Sequence, residues 1–164
     1  MSEFNLNRRM AALLSEIRRE ASSAPSVVSL QQAVVEILSR NLAQYSWTGF
    51  YMLDLDDPVT LVLGPFVGAP TPHERIPVTQ GICGAAVVAG ETVVVDDVGS
   101  DPRYLSCSIA TKSEIVVPIH ADGKIVGEID IDSRDSAAFH REDRVFLEEV
   151  AQIVGRYIQE HSVD

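Results

Sequence analysis

Asp130 and Asp132 alternate with isoleucines in Ile125-Val-Gly-Glu-Ile-Asp-Ile-Asp132. That pattern predicts a strand, and residues two apart on a strand point to one face, so these carboxylates are neighbours and Glu128 extends their row. Alternating acids ordinarily mark a solvated sheet face. Here no Lys or Arg alternates with them, and Glu114 stands alone in the apolar run of the preceding strand. Whether Glu114 joins the row depends on the hairpin register. An even sum of paired positions puts it on the face of Asp130 and Asp132, an odd sum puts it opposite, and the sequence leaves both open. Clustered like charges raise one carboxyl pKa, which leaves a proton to donate or a site for a cation. Trp47 and Tyr51, with Gly49 between them, share one face of another predicted strand. They are either ordinary core or, since each carries one polar group, the wall of a small-molecule pocket.

The chain has two cysteines. Cys83, flanked by Gly81 and Gly84, falls at or near a helix N-terminus, a position that lowers a thiol's pKa and favours the thiolate. The plainer alternative for Cys83 is a small buried hydrophobe. Cys107, between Ser106 and Ser108, is expected in a polar loop outside the core. The absence of a CxxC pair and the scatter of His73, His120, His140 and His161 argue against zinc. No glycine-rich phosphate loop of GxGxxG or GxxxxGK type occurs. No metal and no organic cofactor are therefore expected.

The elements that must position these residues follow from periodicity. Leu6, Met10, Leu13, Leu14 and Ile17 recur at helical spacing until Ala24-Pro25. Ser26 can cap a second helix with Leu30, Val34, Ile37 and Leu38 on its buried stripe. Trp47–Leu53 and Thr60–Leu63 read as strands around the turn cluster Asp54–Pro58. Gly64–Pro77, with four prolines, is expected to be mostly loop, and its length makes it a candidate functional segment. Gly81–Ala89 reads as a short helix and Thr92–Val95 as a strand, followed by a polar loop over residues 96–111. Glu114–Ile119 and Ile125–Asp132 flank Asp122-Gly123, a hairpin signal. Glu142–Gln159 is a helix with Phe146, Val150, Ile153, Val154 and Tyr157 on its apolar stripe. Strands joined by tight turns with helices packed on them make an α+β protein. One domain is expected over residues 1–164, with helices in 1–44 and the sheet and last helix in 46–161.

Composition narrows the functions. Thirteen Lys plus Arg against 24 Asp plus Glu give the 164-residue chain a net charge of −11, which argues against nucleic acid and against an anionic membrane surface. No apolar run approaches the roughly 20 residues that a membrane-spanning helix needs. The charged N-terminal segment does not read as a signal peptide, so a cytoplasmic location with reduced or redox-active thiols is expected.

The order of elements, with Trp47-Thr-Gly-Phe-Tyr51, Gly81-Ile-Cys-Gly-Ala-Ala86, Ser113-Glu-Ile-Val-Val-Pro-Ile119 and Gly127-Glu-Ile-Asp-Ile-Asp-Ser133, resembles a GAF domain. Within that fold the chain is similar to the free methionine-(R)-sulfoxide reductases from about Ser46 to the last helix. The resemblance implies a single domain built on an antiparallel sheet of about six strands. It also implies an oxidoreductase that returns free methionine-(R)-sulfoxide to methionine. Cys107 matches the nucleophilic cysteine, and Cys83 matches the cysteine of the family's Gly-Val-Cys-Gly segment. Trp47 and Tyr51 match pocket aromatics. Glu114, Asp130 and Asp132 match the acids that hold the ligand's ammonium group and assist protonation of the sulfoxide oxygen. Ten residues before Cys83, where typical members carry a further and commonly resolving cysteine, this chain has His73, and Asp101–Ser106 reads as a general GAF loop. The implied cycle runs through a Cys107 sulfenic acid and a disulfide with Cys83, reduced by thioredoxin. A homodimer through the first and last helices is implied as well. Two other readings belong to the same fold. One is a small-ligand sensory module, against which stand the acidic pocket, the lack of a histidine after Cys107, and a chain end close after the last helix. The other is a lapsed reductase that binds an amino acid without turning it over.

Overall fold

The computed structural model of the protein describes residues 6–105 and 110–161. Helices α1 (Arg8–Ser23) and α2 (Val27–Asn41) precede strands β1 (Trp47–Leu53), β2 (Thr60–Val67) and β3 (Arg75–Pro77). Helix α3 (Gly81–Ala89), strand β4 (Val93–Val95) and a single 3-10 turn (Val98–Ser100) lead to β5 (Ser113–Ala121), β6 (Lys124–Ser133) and helix α4 (Arg141–His161). The Asn7 side chain caps α1 by accepting from the Met10 amide at 2.8 Å, and Ser26 caps α2 by accepting from the Ser29 amide at 3.1 Å. The six strands form one antiparallel sheet in the order β3-β2-β1-β6-β5-β4, an α+β architecture. Among the described residues, no helix is long and apolar enough to cross a membrane.

The sheet has two covered faces. On one, α1, α2 and α4 pack their apolar stripes against Phe50, Ile115, Val117, Ile119, Ile129 and Ile131. On the other, the short α3 sits over Trp47, Tyr51, Leu61 and Val116. The central strands β1, β5 and β6 are thus buried on both sides, so the acids that alternate with the isoleucines of β6 point into a covered space rather than into water.

Register decides what shares that space. Asp122 (φ 52) and Gly123 (φ 75) form a two-residue turn that pairs Ala121 with Lys124 and His120 with Ile125, an odd sum. Continued along the hairpin, that register would put Glu114 opposite Ile131, on the helix side. A bulge between Ile119 and His120, with Val126 as the extra residue on β6, changes the sum to even. Glu114 then pairs with Asp132 and joins the acid row.

The expectation for Gly64–Pro77 needs correction. β2 runs on through Gly64-Pro-Phe-Val67, and Arg75–Pro77 is a strand of its own, which leaves residues 68–74 as the loop. Pro65 is tolerated because it falls at a second bulge, where β2 carries an extra residue between the pairs Gly49–Phe66 and Tyr51–Leu63, and because β3 pairs only with Thr60–Val62.

Candidate active site

The acid row and the aromatic pair meet across the β1–β6 ladder. Trp47 lies opposite Asp132, Gly49 opposite Asp130, and Tyr51 opposite Glu128. Glu114 adds a fourth carboxyl from β5. All four are buried, with exposures of 5% for Glu114, 0% for Glu128, 4% for Asp130 and 3% for Asp132. Among the described residues no ion pair reaches Glu128, Asp130 or Asp132. Helix α3 lowers Cys83 onto this row, and its thiol donates to Asp130 Oδ2 at 3.4 Å. Both oxygens of Glu128, and one oxygen each of Asp130 and Asp132, complete no hydrogen bond.

Burial governs the protonation of this group. Loss of water pushes the Glu128 carboxyl well above the usual range, the nearby Cys83 thiol opposes that push, and the charge of Asp130 adds a smaller one. Asp132 is raised by burial and then by Asp130, with a hydrogen bond from Glu114 opposing. Asp130 is raised by burial, and hydrogen bonding to Glu114 and Cys83 holds it back. The row therefore keeps protons that exposed carboxylates would have lost. Of the two readings of Cys83, the same physics favours the buried thiol over the thiolate. Burial pushes this thiol well up, and Asp130, Glu128 and Glu114 push it the same way, which outweighs the helix N-terminus. The third residue of a buried helix, facing carboxyls, is an electrostatically unfavourable place for another negative charge.

Trp47 and Tyr51 stack loosely, with ring centroids 6.3 Å apart, and Phe66 continues the wall at 5.4 Å from Trp47. Their polar groups fasten the 68–74 loop. Trp47 Nε1 donates to the Ala69 carbonyl at 3.0 Å, and Tyr51 OH donates to the His73 carbonyl at 2.7 Å. Sequence reasoning missed this strap, because a carbonyl partner leaves no signature of residue type. Below it, Tyr51, His73, Ile76, Gly81, Ile82, Cys83, Leu105, Glu114 and Asp130 line a cavity of about 10 Å³, enough for one water. A second recess of about 40 Å³ opens beside it between Trp47, Thr71, Thr111, Asp132 and Arg134. Larger hollows of about 270 and 430 Å³ lie along α4, share Glu148, and contain none of the acid row, so size does not mark the chemistry here. Cys107 lies outside the described residues. The structure thus brings Trp47, Tyr51, Cys83, Glu114, Asp130 and Asp132 to one place, together with Glu128 of the same row, and adds His73 to them.

This combination of a six-stranded antiparallel sheet, helices behind it and a small pocket under a short helix is that of a ligand-pocket α+β domain. The chain belongs to the GAF domain family, whose model matches residues 26–158. It is similar to the free methionine-R-sulfoxide reductase of Escherichia coli (strain K12), with 40% identity over 118 residues that cover 71% of this chain and 69% of the relative. The enzyme of the same name from Saccharomyces cerevisiae is 42% identical over 112 residues, 68% of this chain and 62% of that one. The solved structure of free methionine-R-sulfoxide reductase from Neisseria meningitidis in complex with its substrate superposes with a TM-score of 0.87 at 33% identity, covering 94% of this chain and 92% of that one.

Proposed function

We propose that the protein reduces free methionine-(R)-sulfoxide to methionine. The observation that carries this reading is the row of buried, proton-retaining acids facing an aromatic wall, with a thiol 3.4 Å from one of them. The similarity to reductases named for that substrate supports it. Glu114, Asp130 and Asp132 hold the ammonium group of the substrate, and Trp47 and Tyr51 pack against its side chain. A methionine inside a peptide has no ammonium to offer, so the free amino acid is preferred.

In this mechanism the Cys107 thiolate attacks the sulfoxide sulfur while protonated Asp130 or Asp132 donates to the sulfoxide oxygen. The oxygen passes to Cys107, which is oxidised by two electrons to the sulfenic acid, and the substrate leaves as the thioether. Asp130, left ionised when it is the donor, is a base 3.4 Å from the Cys83 thiol. It takes the thiol's proton as Cys83 attacks the sulfenic sulfur, and it passes that proton to the departing oxygen, so that water leaves and the disulfide closes. Thioredoxin restores both thiols by exchange. The raised pKa of Cys83 is consistent with this order, since the thiol stays protonated until the acid beside it has been spent. A reducing cytoplasm and a homodimer complete the reading.

A thioredoxin-coupled assay tests it. Free methionine-(R)-sulfoxide is expected to turn over, with loss of activity in Cys107→Ser and in Cys83→Ser. Calorimetric binding of the sulfoxide without turnover above the Cys107→Ser control would leave an amino-acid binder. Equal rates on free and peptide-bound sulfoxide would remove the role given to the acids.

A further inference from the structure

Linear spacing argues against a metal, yet folding brings three donors from three elements to one point. Cys83 Sγ of α3 and one carboxylate oxygen each from Glu114 of β5 and Asp130 of β6 all lie within 4.8 Å of one another. Each residue is at least nine-tenths buried. The Cys83 Sγ to Asp130 Oδ2 separation is 3.4 Å. Zinc–sulfur and zinc–oxygen bonds of ordinary length at a tetrahedral angle place those two atoms roughly 3.5 Å apart. The same three residues line the cavity of about 10 Å³. Independently, Asp130 Oδ1 is buried and completes no hydrogen bond, as do Asp132 Oδ1 and both oxygens of Glu128 behind it. Among the described residues no ion pair reaches Asp130, Asp132 or Glu128, so their burial is not offset by a bound side-chain cation.

From these observations we propose that the reduced pocket binds one thiophilic divalent cation of the zinc type through Cys83, Glu114 and Asp130, and that the cation excludes the amino-acid ligand. The donor set selects the class of ion. Calcium and magnesium want six or more oxygens and would leave the sulfur unused. One thiolate with two carboxylates suits a borderline-soft ion in a four-coordinate site, with water in the fourth position. Binding displaces the Cys83 proton and any proton on Glu114 and Asp130 to solvent, with no change of oxidation state. The exclusion half of the proposal rests on the function proposed above: a cation there occupies the place of the substrate's ammonium group and holds the thiol that would resolve the sulfenic acid. The binding half does not depend on it.

Cobalt(II), added to the reduced full-length protein under anaerobic conditions, reads out the ligands directly. One equivalent is expected to give a thiolate-to-cobalt charge-transfer band that one equivalent of zinc abolishes. Cys83→Ser is expected to remove the band, Asp130→Asn to weaken binding by at least about tenfold, and Cys107→Ser to leave both intact. These substitutions are nearly isosteric, and circular dichroism checks that each variant folds. No band and no calorimetric zinc binding in the wild-type protein overturns the site. So does a band that persists in Cys83→Ser or is lost in Cys107→Ser. In a second arm, calorimetry of free methionine sulfoxide is run with and without one equivalent of zinc. Loss of sulfoxide binding in zinc supports exclusion, and simultaneous binding overturns it. Should the metal-free protein fail to bind the sulfoxide, the proposed function falls while the cobalt titration still decides the cation site.

Discussion

Glu128 is the most deeply enclosed of the four carboxyls, with no exposure and no completed hydrogen bond on either oxygen. Its raised pKa has a definite thermodynamic sign. The folded state holds a proton that the unfolded chain releases near pH 4.3, as glutamate does ordinarily. The stability linked to that proton is full below about pH 4 and is lost as the pH climbs through the folded value. Glu128→Gln has no such proton to lose. Its Tm is therefore expected to rise relative to the wild type between about pH 4 and pH 8, each pKa unit of displacement being worth about 1.4 kcal/mol. A difference in Tm that stays flat across this range contradicts the assignment. The proposed mechanism gives Asp130 a chemical role instead. Asp130→Asn keeps the shape but cannot cycle a proton, so kcat is expected to fall by about 10²- to 10⁴-fold, measured in the coupled assay. A change confined to KM would make it a binding residue only. The acid row, the aromatic pair and Cys83 were all legible in the sequence as residue types. The state of Cys83 was not, because helix position is visible in a sequence whereas three carboxyls arriving from β5 and β6 are a tertiary fact.

At the scale of elements, the hairpin shows where sequence reading stops. Asp122-Gly123 announces the turn, and the isoleucine–aspartate alternation announces β6, yet the register between the two strands stays open, and a hairpin regular from its two-residue turn would send Glu114 to the opposite face. One extra residue, Val126, reverses that outcome. Valine itself does not advertise a bulge, since any strand-forming residue can occupy it; the adjacent Gly127 is the one local hint, because glycine inside a strand marks a bulge or a close backbone approach. The Gly64-Pro65 bulge misleads in the opposite direction, by looking like a loop while it continues a strand. Helix α3 depends on closeness of another kind. A Cβ on Gly84 would lie 2.5 Å from the Val78 carbonyl oxygen and 2.8 Å from its carbon, both backbone atoms that cannot swing aside. Gly84→Ala must therefore shift α3, and Cys83 with it. Overpacking of this sort costs about 1–3 kcal/mol, which corresponds to a fall in Tm of roughly 2 to 12 °C for a domain of this size. Thermal denaturation checks the figure, and an unchanged Tm would mean that α3 is held less tightly than the structure indicates.

For the whole molecule, the sheet divides the interior unequally. The helix side carries α1, α2 and α4 with a long list of buried aliphatics, including Leu30, Val34, Leu38, Phe146, Leu147, Val150 and Val154. The site side rests on a nine-residue helix and on two edge strands of three residues each, β3 and β4. It also contains the four buried carboxyls, whose desolvation opposes folding. The apolar burial that stabilises the fold thus lies mainly behind the sheet, and the acid row with Cys83 lies in front, where local opening is least costly. Native-state hydrogen exchange is expected to separate the two. Amides of α3 should exchange through a sub-global opening of lower free energy than those of β5, β6 and α4, which should report global unfolding. A ligand seated against Cys83 and the acids adds its binding free energy to the closed form of the front layer, so free methionine sulfoxide should slow exchange in α3 by a larger factor than in α4. If α3 and α4 instead share one opening free energy in the absence of ligand, the two layers fold as a single cooperative unit, and access to the pocket must come from movement of the 68–74 loop that Trp47 and Tyr51 fasten.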